Sequence, residues 1–490
     1  MEPPASLLDE GDPDGMPLPD DDGTDVLNRG REPLEIRVPA RGSVAIESDA
    51  DQVLQRRTAG VARGAVFTGA VRTALLNHPR YGAFLSRIDA RKAEVDVARA
   101  GYFPTLALGV TSRVSRFSAA NQDIDGNVRN QGVEFDSDAL VTLRQNLING
   151  GATSAEVDRA KAATVVEAYS STEGMADLAI RAIEAWHDVL RERMRHELAL
   201  RQLAAHKTIL ARVTLRYEQG AAPVTDMARA EARLADARAT VITREAGLEI
   251  ANQNYLEAYG ELPGEVGFVR FEQLVPRSVM DAVAQARSMN ASVQRARAER
   301  DQAEAGVRLA RSGFYPQVDI EANAVQFDVW DESEFGVTGR LVASYALFEG
   351  GARFARSQRA KADLARAQYQ QSAVARAIDR DVHITWERVQ ALGRRLVTQE
   401  QALRANEEAR ALIREQFGFG GRSLFDLLES ERDVFNAADQ YLSSRIDFEV
   451  ARFELAAVTG VLLDMLNVSV VSQRGSDDQP GDPTDAPGDF

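Results

Sequence analysis

The chain has 490 residues, a formal net charge of −16 and no cysteine. That excludes disulfides, thiolate metal sites and a lipid-modified N-terminal Cys, and the acidic balance argues against a general nucleic-acid binder. No run of about 18 apolar residues occurs, so no transmembrane helix is expected.

Residues 1–64 read as an acidic, largely disordered extension: residues 1–28 carry acids and no Lys or Arg. Met1-Glu2-Pro3-Pro4 lacks the basic-then-apolar order of a secretory signal peptide. For an exported protein, the signal would be missing from this chain or the start misplaced. A helix is expected from Ala65 to Ala100, broken near Asn77-His78-Pro79 and ended by Gly101-Tyr102-Phe103-Pro104, because proline cannot continue a helix. Leu106, Leu108 and Val110 then alternate with Ala107, Gly109 and Thr111. A polar loop runs to about Gly132, and a second alternating run ends at Leu147. The pattern predicts a β-hairpin over 104–147.

Residues 151–217 predict one long helix. From Ala152 to Tyr217 there is no proline and one glycine, Gly174, among good helix formers. At 1.5 Å per residue this is a rod on the order of 100 Å long, of the kind coiled coils use. Glu218 to Pro223 breaks it, Thr225 or Asp226 reads as an N-cap, and a second helix runs to about Tyr259. Residues 261–277 form an irregular linker.

The plan then recurs. A helix is expected from Ser278 to Arg311, and a second hairpin over 316–348. In it Val318, Ile320, Ala322 and Ala324 face opposite Asp319, Glu321 and Asn323. Phe335, Val337, Leu341, Ala343 and Tyr345 face opposite Thr338, Arg340 and Ser344 on the return strand. A second rod covers 351–417; from Ala352 to Phe417 there is again no proline and one glycine, Gly393. Phe417-Gly418-Phe419-Gly420-Gly421 breaks it, a last helix runs to Gly460, and 469–490 is a second acidic, disordered tail. Residues 147–260 fall on 347–460 at a shift of 200: Gly150 on Gly350, Lys161 on Lys361, Tyr169 on Tyr369, Trp186 on Trp386, Asp226 on Asp426, Glu231 on Glu431. This is an internal duplication, with repeats at 65–260 and 278–468. Gly101 to Pro104 is echoed by Gly313 to Pro316 at a shift of 212, so the first hairpin holds twelve more residues.

Four strands of about 10 residues, apolar on one face, fit the wall of a membrane β-barrel. The competing reading is a soluble sheet with one face on helices. Four strands cannot close a barrel, and open edges cannot face lipid, so in a membrane several chains must share one barrel.

The duplicated order of helix, hairpin, rod, turn and helix resembles the TolC-type outer-membrane efflux proteins, the outer-membrane factors. So do the aromatic-Pro entry to each first strand and the Gly-Gly after each second strand. The resemblance implies a mainly α fold joined to a membrane β-barrel. Long antiparallel coiled-coil helices would form a periplasmic α-barrel, and a homotrimer would share a 12-stranded barrel in the lipid bilayer of the bacterial outer membrane. It implies a passive exit duct of a tripartite efflux or type I secretion system. Docking of a periplasmic adaptor (membrane fusion) protein and an inner-membrane pump of ABC, RND or MFS type would open it. The alternative is a soluble coiled-coil scaffold without a pore, its strands packed on its own helices.

No enzyme, metal or cofactor is expected. The five histidines lack a His-Glu-x-x-His spacing, and Gly418-Phe419-Gly420-Gly421 lacks the Lys-Ser/Thr ending of a phosphate loop. By resemblance, a gate lies at the rod tips: Phe417, Arg422, Asp426 and Glu429 in the second turn, Thr225 and Asp226 in the first. Asp426 and Glu429 are three apart and share a helix face, so a threefold axis would make each a ring of carboxylates. Arg422 would latch to Asp226 or Thr225 of a neighbouring pair. Such a charge-assisted bond is worth roughly 1.5–3 kcal/mol, within reach of a docking partner. The plainer reading of the acids is helix capping. Phe417 stands where the family pattern has Tyr, and Pro223 is unusual. Tyr217, Gly220, Pro223, Gly420, Gly421 and Ser423 form the tip turns expected to meet the adaptor.

Overall fold

The computed structural model describes residues 64–116, 133–269, 276–327 and 334–469. Of the two units into which the chain divides, Met1–Val44 and Ala45–Phe490, all described residues belong to the second. The expected leader through residue 63, the first hairpin's loop and the tail from 470 lie outside them.

Two helices, α1 (Gly64–Asn77) and α2 (Pro79–Ala100), are split at His78, whose side chain accepts from the Arg80 amide. Strands β1 (Thr105–Arg116) and β2 (Val133–Ile148) follow. Next come α3 (Ala152–Glu218), of 67 residues, and α4 (Val224–Tyr259), of 36. After α5 (Val279–Met289), α6 (Ala291–Ser312), β3 (Gln317–Phe327) and β4 (Glu334–Ser344) come α7 (Ala352–Gly418) and α8 (Leu424–Thr459), again 67 and 36 residues long. A single turn, α9 (Leu462–Met465), closes the described fold.

Two expectations need correction. The helix expected over 278–311 is two helices, capped separately. Ser278 accepts from the Asp281 amide and caps α5; Asn290 accepts from the amides of Ser292 and Val293 and caps α6. Asn supplies a cap without the proline that marked the break at Pro79. Asn290 lies 212 positions after His78, the offset that relates Gly101 to Gly313. The last strand ends at Ser344, so Tyr345 lies outside it, its ring 4.7 Å from the Arg353 guanidinium. The strand-to-helix turns need left-handed backbone at Gly150 (φ 63) and Gly350 (φ 60), where glycine adds no Cβ strain.

The sheet order is β1-β2-β3-β4, antiparallel throughout. Leu106 pairs with Leu143, Val141 with Ala324, and Ile320 with Leu341, so the apolar positions of all four strands share one face. That face is open: Leu106 is 72% exposed and Leu341 66%. The opposite face is polar and cross-linked. Arg144 donates to Asp319 at 3.0 Å, Asn146 donates to Asp319 at 2.8 Å, and Arg340 donates to Glu321 at 2.7 Å. No described helix packs on the sheet. This is the reverse of a soluble sheet, and it counts against the scaffold alternative, which needs the strands to lie on the helices. The outer edges of β1 and β4 have no strand partner within the described chain.

The helices pack as two antiparallel hairpins, α3 with α4 and α7 with α8, joined laterally through α3 and α8. The largest core gathers Phe67, Met175, Trp186, Tyr255, Leu442 and Phe453 with Val266, Phe268 and Val269 of the linker. Trp186 donates to the Gly267 carbonyl at 3.0 Å and Tyr259 donates to the Ala182 carbonyl at 2.9 Å. His187 sits fully buried between Phe67 and Phe453, with Nδ1 donating to the Ile183 carbonyl at 2.7 Å. Burial pushes its pKa down to about 4.

Candidate gate at the helix tips

Both rods end in the same turn. Gly220 (φ 73) and Gly420 (φ 78) are left-handed. The Ala221 amide donates to the Arg216 carbonyl at 2.8 Å, and the Gly421 amide to the Gln416 carbonyl at 2.9 Å. This is the Schellman stop, in which glycine at the left-handed position lets the last carbonyls be satisfied.

The restarts differ. In the second turn Ser423 is the N-cap of α8 and forms a capping box with Asp426: Ser423 Oγ accepts from the Asp426 amide at 3.2 Å, and Asp426 Oδ2 accepts from the Ser423 amide at 3.2 Å. In the first turn the N-cap is Pro223, which gives no side-chain cap. Thr225 and Asp226, expected at the N-cap, lie in the first turn of α4. Pro223 takes the boundary because its fixed φ suits a helix start and it has no N–H to satisfy. Asp226 is left to Arg229, 3.9 Å away.

Phe417 is 8% exposed and belongs to an apolar tip cluster with Ile209, Val213, Ala230, Leu424, Leu427 and Leu428. The Arg216 guanidinium lies 5.1 Å from its ring. Asp426 and Glu429 are half-buried on the side of α8 that Leu427 and Leu428 do not fill, and Glu429 is paired with Arg432. Arg422 donates to Gln416 Oε1 at 3.0 Å, within its own turn. Among the described residues of one chain, no bond joins it to Thr225 or Asp226.

Sequence reasoning missed the apolar side chains displayed at the tip. Phe419 is 86% exposed, and Val224, Phe425 and Leu215 are more than half exposed. Phe419 falls where the first turn has Gln219. The available signal was an aromatic in a turn that polar residues usually fill, since clustered exposed apolar groups mark contact surfaces. Tyr217, Gly220, Pro223, Gly420 and Gly421 are all open to solvent beside them. No described group of His, Asp and Glu has the arrangement of a metal site.

A sheet with its apolar face outward, beside two long helical hairpins, defines a protein of the membrane-channel class. The family described as Outer membrane efflux protein matches residues 70–261 and 282–461, and the chain belongs to it. It is 20% identical to the outer membrane efflux protein BepC of Brucella suis over 422 residues, 85% of this chain and 90% of BepC. It is 21% identical to the outer membrane protein TolC of Escherichia coli over 407 residues, 79% of this chain and 81% of TolC. Among solved structures the fold is similar to VceC of Vibrio cholerae (TM-score 0.69, 16% identity, 85% of this chain and 98% of VceC). It is also similar to CusC (TM-score 0.70, 14% identity, 88% of this chain and 98% of CusC). The matched family is one of outer membrane efflux proteins.

Proposed function

We propose that three copies of this chain form an exit duct in the bacterial outer membrane. Each copy supplies four strands to a shared 12-stranded barrel, and β1 of one copy pairs with β4 of the next. The helical hairpins extend the tube into the periplasm. The observation that carries this reading is the sheet: among the described residues its apolar face is uncovered and both edges lack strand partners, which lipid tolerates only in a closed barrel. The two halves, 65–260 and 278–468, act as similar staves of the tube.

The duct is passive and serves a tripartite efflux or type I secretion system. A periplasmic adaptor docks on the tip turns at Tyr217, Gly220, Pro223, Gly420, Gly421 and Ser423, and Phe419 adds apolar area there. An inner-membrane pump of ABC, RND or MFS type supplies the energy. Asp426 and Glu429 form carboxylate rings at the closed tip. Phe417 braces the tip from inside. Arg422 exchanges its Gln416 bond for Thr225 or Asp226 of a neighbouring copy when the tips converge.

Purification tests the core of this reading. The expected product is a trimer that requires detergent and conducts ions in planar bilayers. A monomer soluble without detergent overturns it.

A further inference from the structure

Apolar packing along the paired hairpins is interrupted. The buried part of the large core runs down to Leu198 on α3, Leu403 on α7 and Ala438 on α8, with Phe435 and Ala437 partly buried against it. The buried part of the tip cluster starts at Ile209 on α3, Phe417 on α7 and Leu428 on α8, with Ile413 partly buried against it. The gap from 198 to 209 spans roughly 16 Å of helix at 1.5 Å per residue.

A polar layer fills it. Glu431 of α8 is 5% exposed and is held by Arg414 at 2.5 Å and Arg410 at 3.7 Å, both on α7. Ser430 of α8 and Glu407 of α7 are buried as well. From α3, His206 is buried with Nδ1 unpartnered, and Gln202 carries a buried, unpartnered Oε1, among the described residues. Arg233 and Asp236 of α4 also act on His206. The apolar side chains buried at this level, Ala199, Leu234, Ala237 and Val434, join neither cluster.

The two kinds of layer respond differently to motion. Apolar clusters lose packing as soon as they part. A buried ion pair adds little net stability, because desolvation offsets its attraction. Unpartnered buried polar atoms are actively unfavourable and gain from admitting water. We propose that this layer is a joint: the tip cluster, with its two turns, swings as one unit about residues 199–208 of α3 and their neighbours on α7 and α8. The assignment rests on the duct reading only in taking tip movement to be useful.

Hydrogen exchange on the detergent-solubilised full-length protein tests it without any variant. Amides of 201–207 are expected to exchange about tenfold faster than those of 190–198 above and 209–215 below, as a local opening between two cooperative units should. Protection that only declines smoothly toward the tip is fraying and overturns the joint. A Gln202→Leu, His206→Leu double variant should erase the minimum, while His206→Gln alone should keep it. A minimum that survives the double variant also overturns the assignment. Failure of the gate reading is separable: a clear minimum in a protein whose conductance ignores tip substitutions removes the gate and leaves the joint.

Discussion

Asp426 has two candidate roles at the tip, and the geometry allows them to be separated. Its carboxylate closes a capping box with Ser423, and in the proposed trimer it is also one of three charges around the axis. Asp426→Asn keeps a side-chain oxygen for the Ser423 amide and removes the charge. Asp426→Ala removes both. Loss of a cap costs about 1 kcal/mol of local stability, and loss of the charge near the helix N-terminus about 0.3–1 kcal/mol. Ser423→Ala is the complementary variant: it deletes the cap hydroxyl and leaves the carboxylate. The assay is single-channel conductance with a trivalent cation added from the tip side, alongside thermal dissociation of the trimer. Asp426→Asn should lose cation block with a stability change within about 1 kcal/mol. Ser423→Ala should keep block and lose about 1 kcal/mol. Wild-type block in Asp426→Asn would refute the ring and leave Asp426 as a cap alone.

Two further outcomes follow from the packing in and around the large core. Gly260 (φ 77) and Gly460 (φ 86) are both left-handed helix stops, but a Cβ at Gly260 meets nothing within 4 Å, whereas at Gly460 it would lie 2.6 Å from the Met289 carbonyl carbon and 2.7 Å from the Asn290 nitrogen. Gly260→Ala should cost about 1 kcal/mol for the left-handed backbone, and Gly460→Ala about 1–3 kcal/mol more because backbone must shift; equal losses in denaturant titrations would contradict the close approach. His187 titrates at about 4 in the fold, held down first by burial, against 6.5 as its ordinary value. A lowered folded pKa means the stability is complete above pH 6.5 and is lost as pH falls toward 4, by roughly 3 kcal/mol in all at about 1.36 kcal/mol per pH unit. His187→Leu should flatten the pH dependence of unfolding across that window, and an unchanged slope would show that the ring is not held neutral.

The rods were legible because their signals are long. Sixty-odd residues without proline, each ended by a turn with glycine at 220 or 420, leave few alternatives, and both rods end within a residue of expectation at Glu218 and Gly418. The hairpins were legible from alternation, but which face met solvent was not. Leu106 and Leu341 alternate alike whether a core or lipid covers them, and only the absence of helix contact decides. The kink at Asn290 was missed because a lone Asn is a weak punctuator, whereas Pro79 at the matching break is strong. Pro223 is a weak N-cap signal beside Thr225 and Asp226, since capping preferences favour side chains that accept. In the sequence Phe419 reads only as part of a glycine-rich turn; its exposure depends on the turn geometry that places Phe417 inward and Phe419 outward.

The sheet edges and the helix edges of the proposed trimer can be checked against each other. Among the rods and the helices that lead into strands, α2 packs on α3, α3 on α6 and α6 on α7, leaving α2 and α7 at the two ends of the row. In chain order α2 leads into β1, and α7 follows β4. Pairing β1 of one copy with β4 of the next therefore brings α2 of the first beside α7 of the second. Apolar side chains are open on both helices: α7 exposes Tyr369 and Phe354, and α2 exposes Val97. A chain that shared only its strands would leave the α7 face uncovered, and one that shared only its helices would leave two strand edges in lipid. One rotation satisfies both borders at once, because a single chain has carried both along the same line.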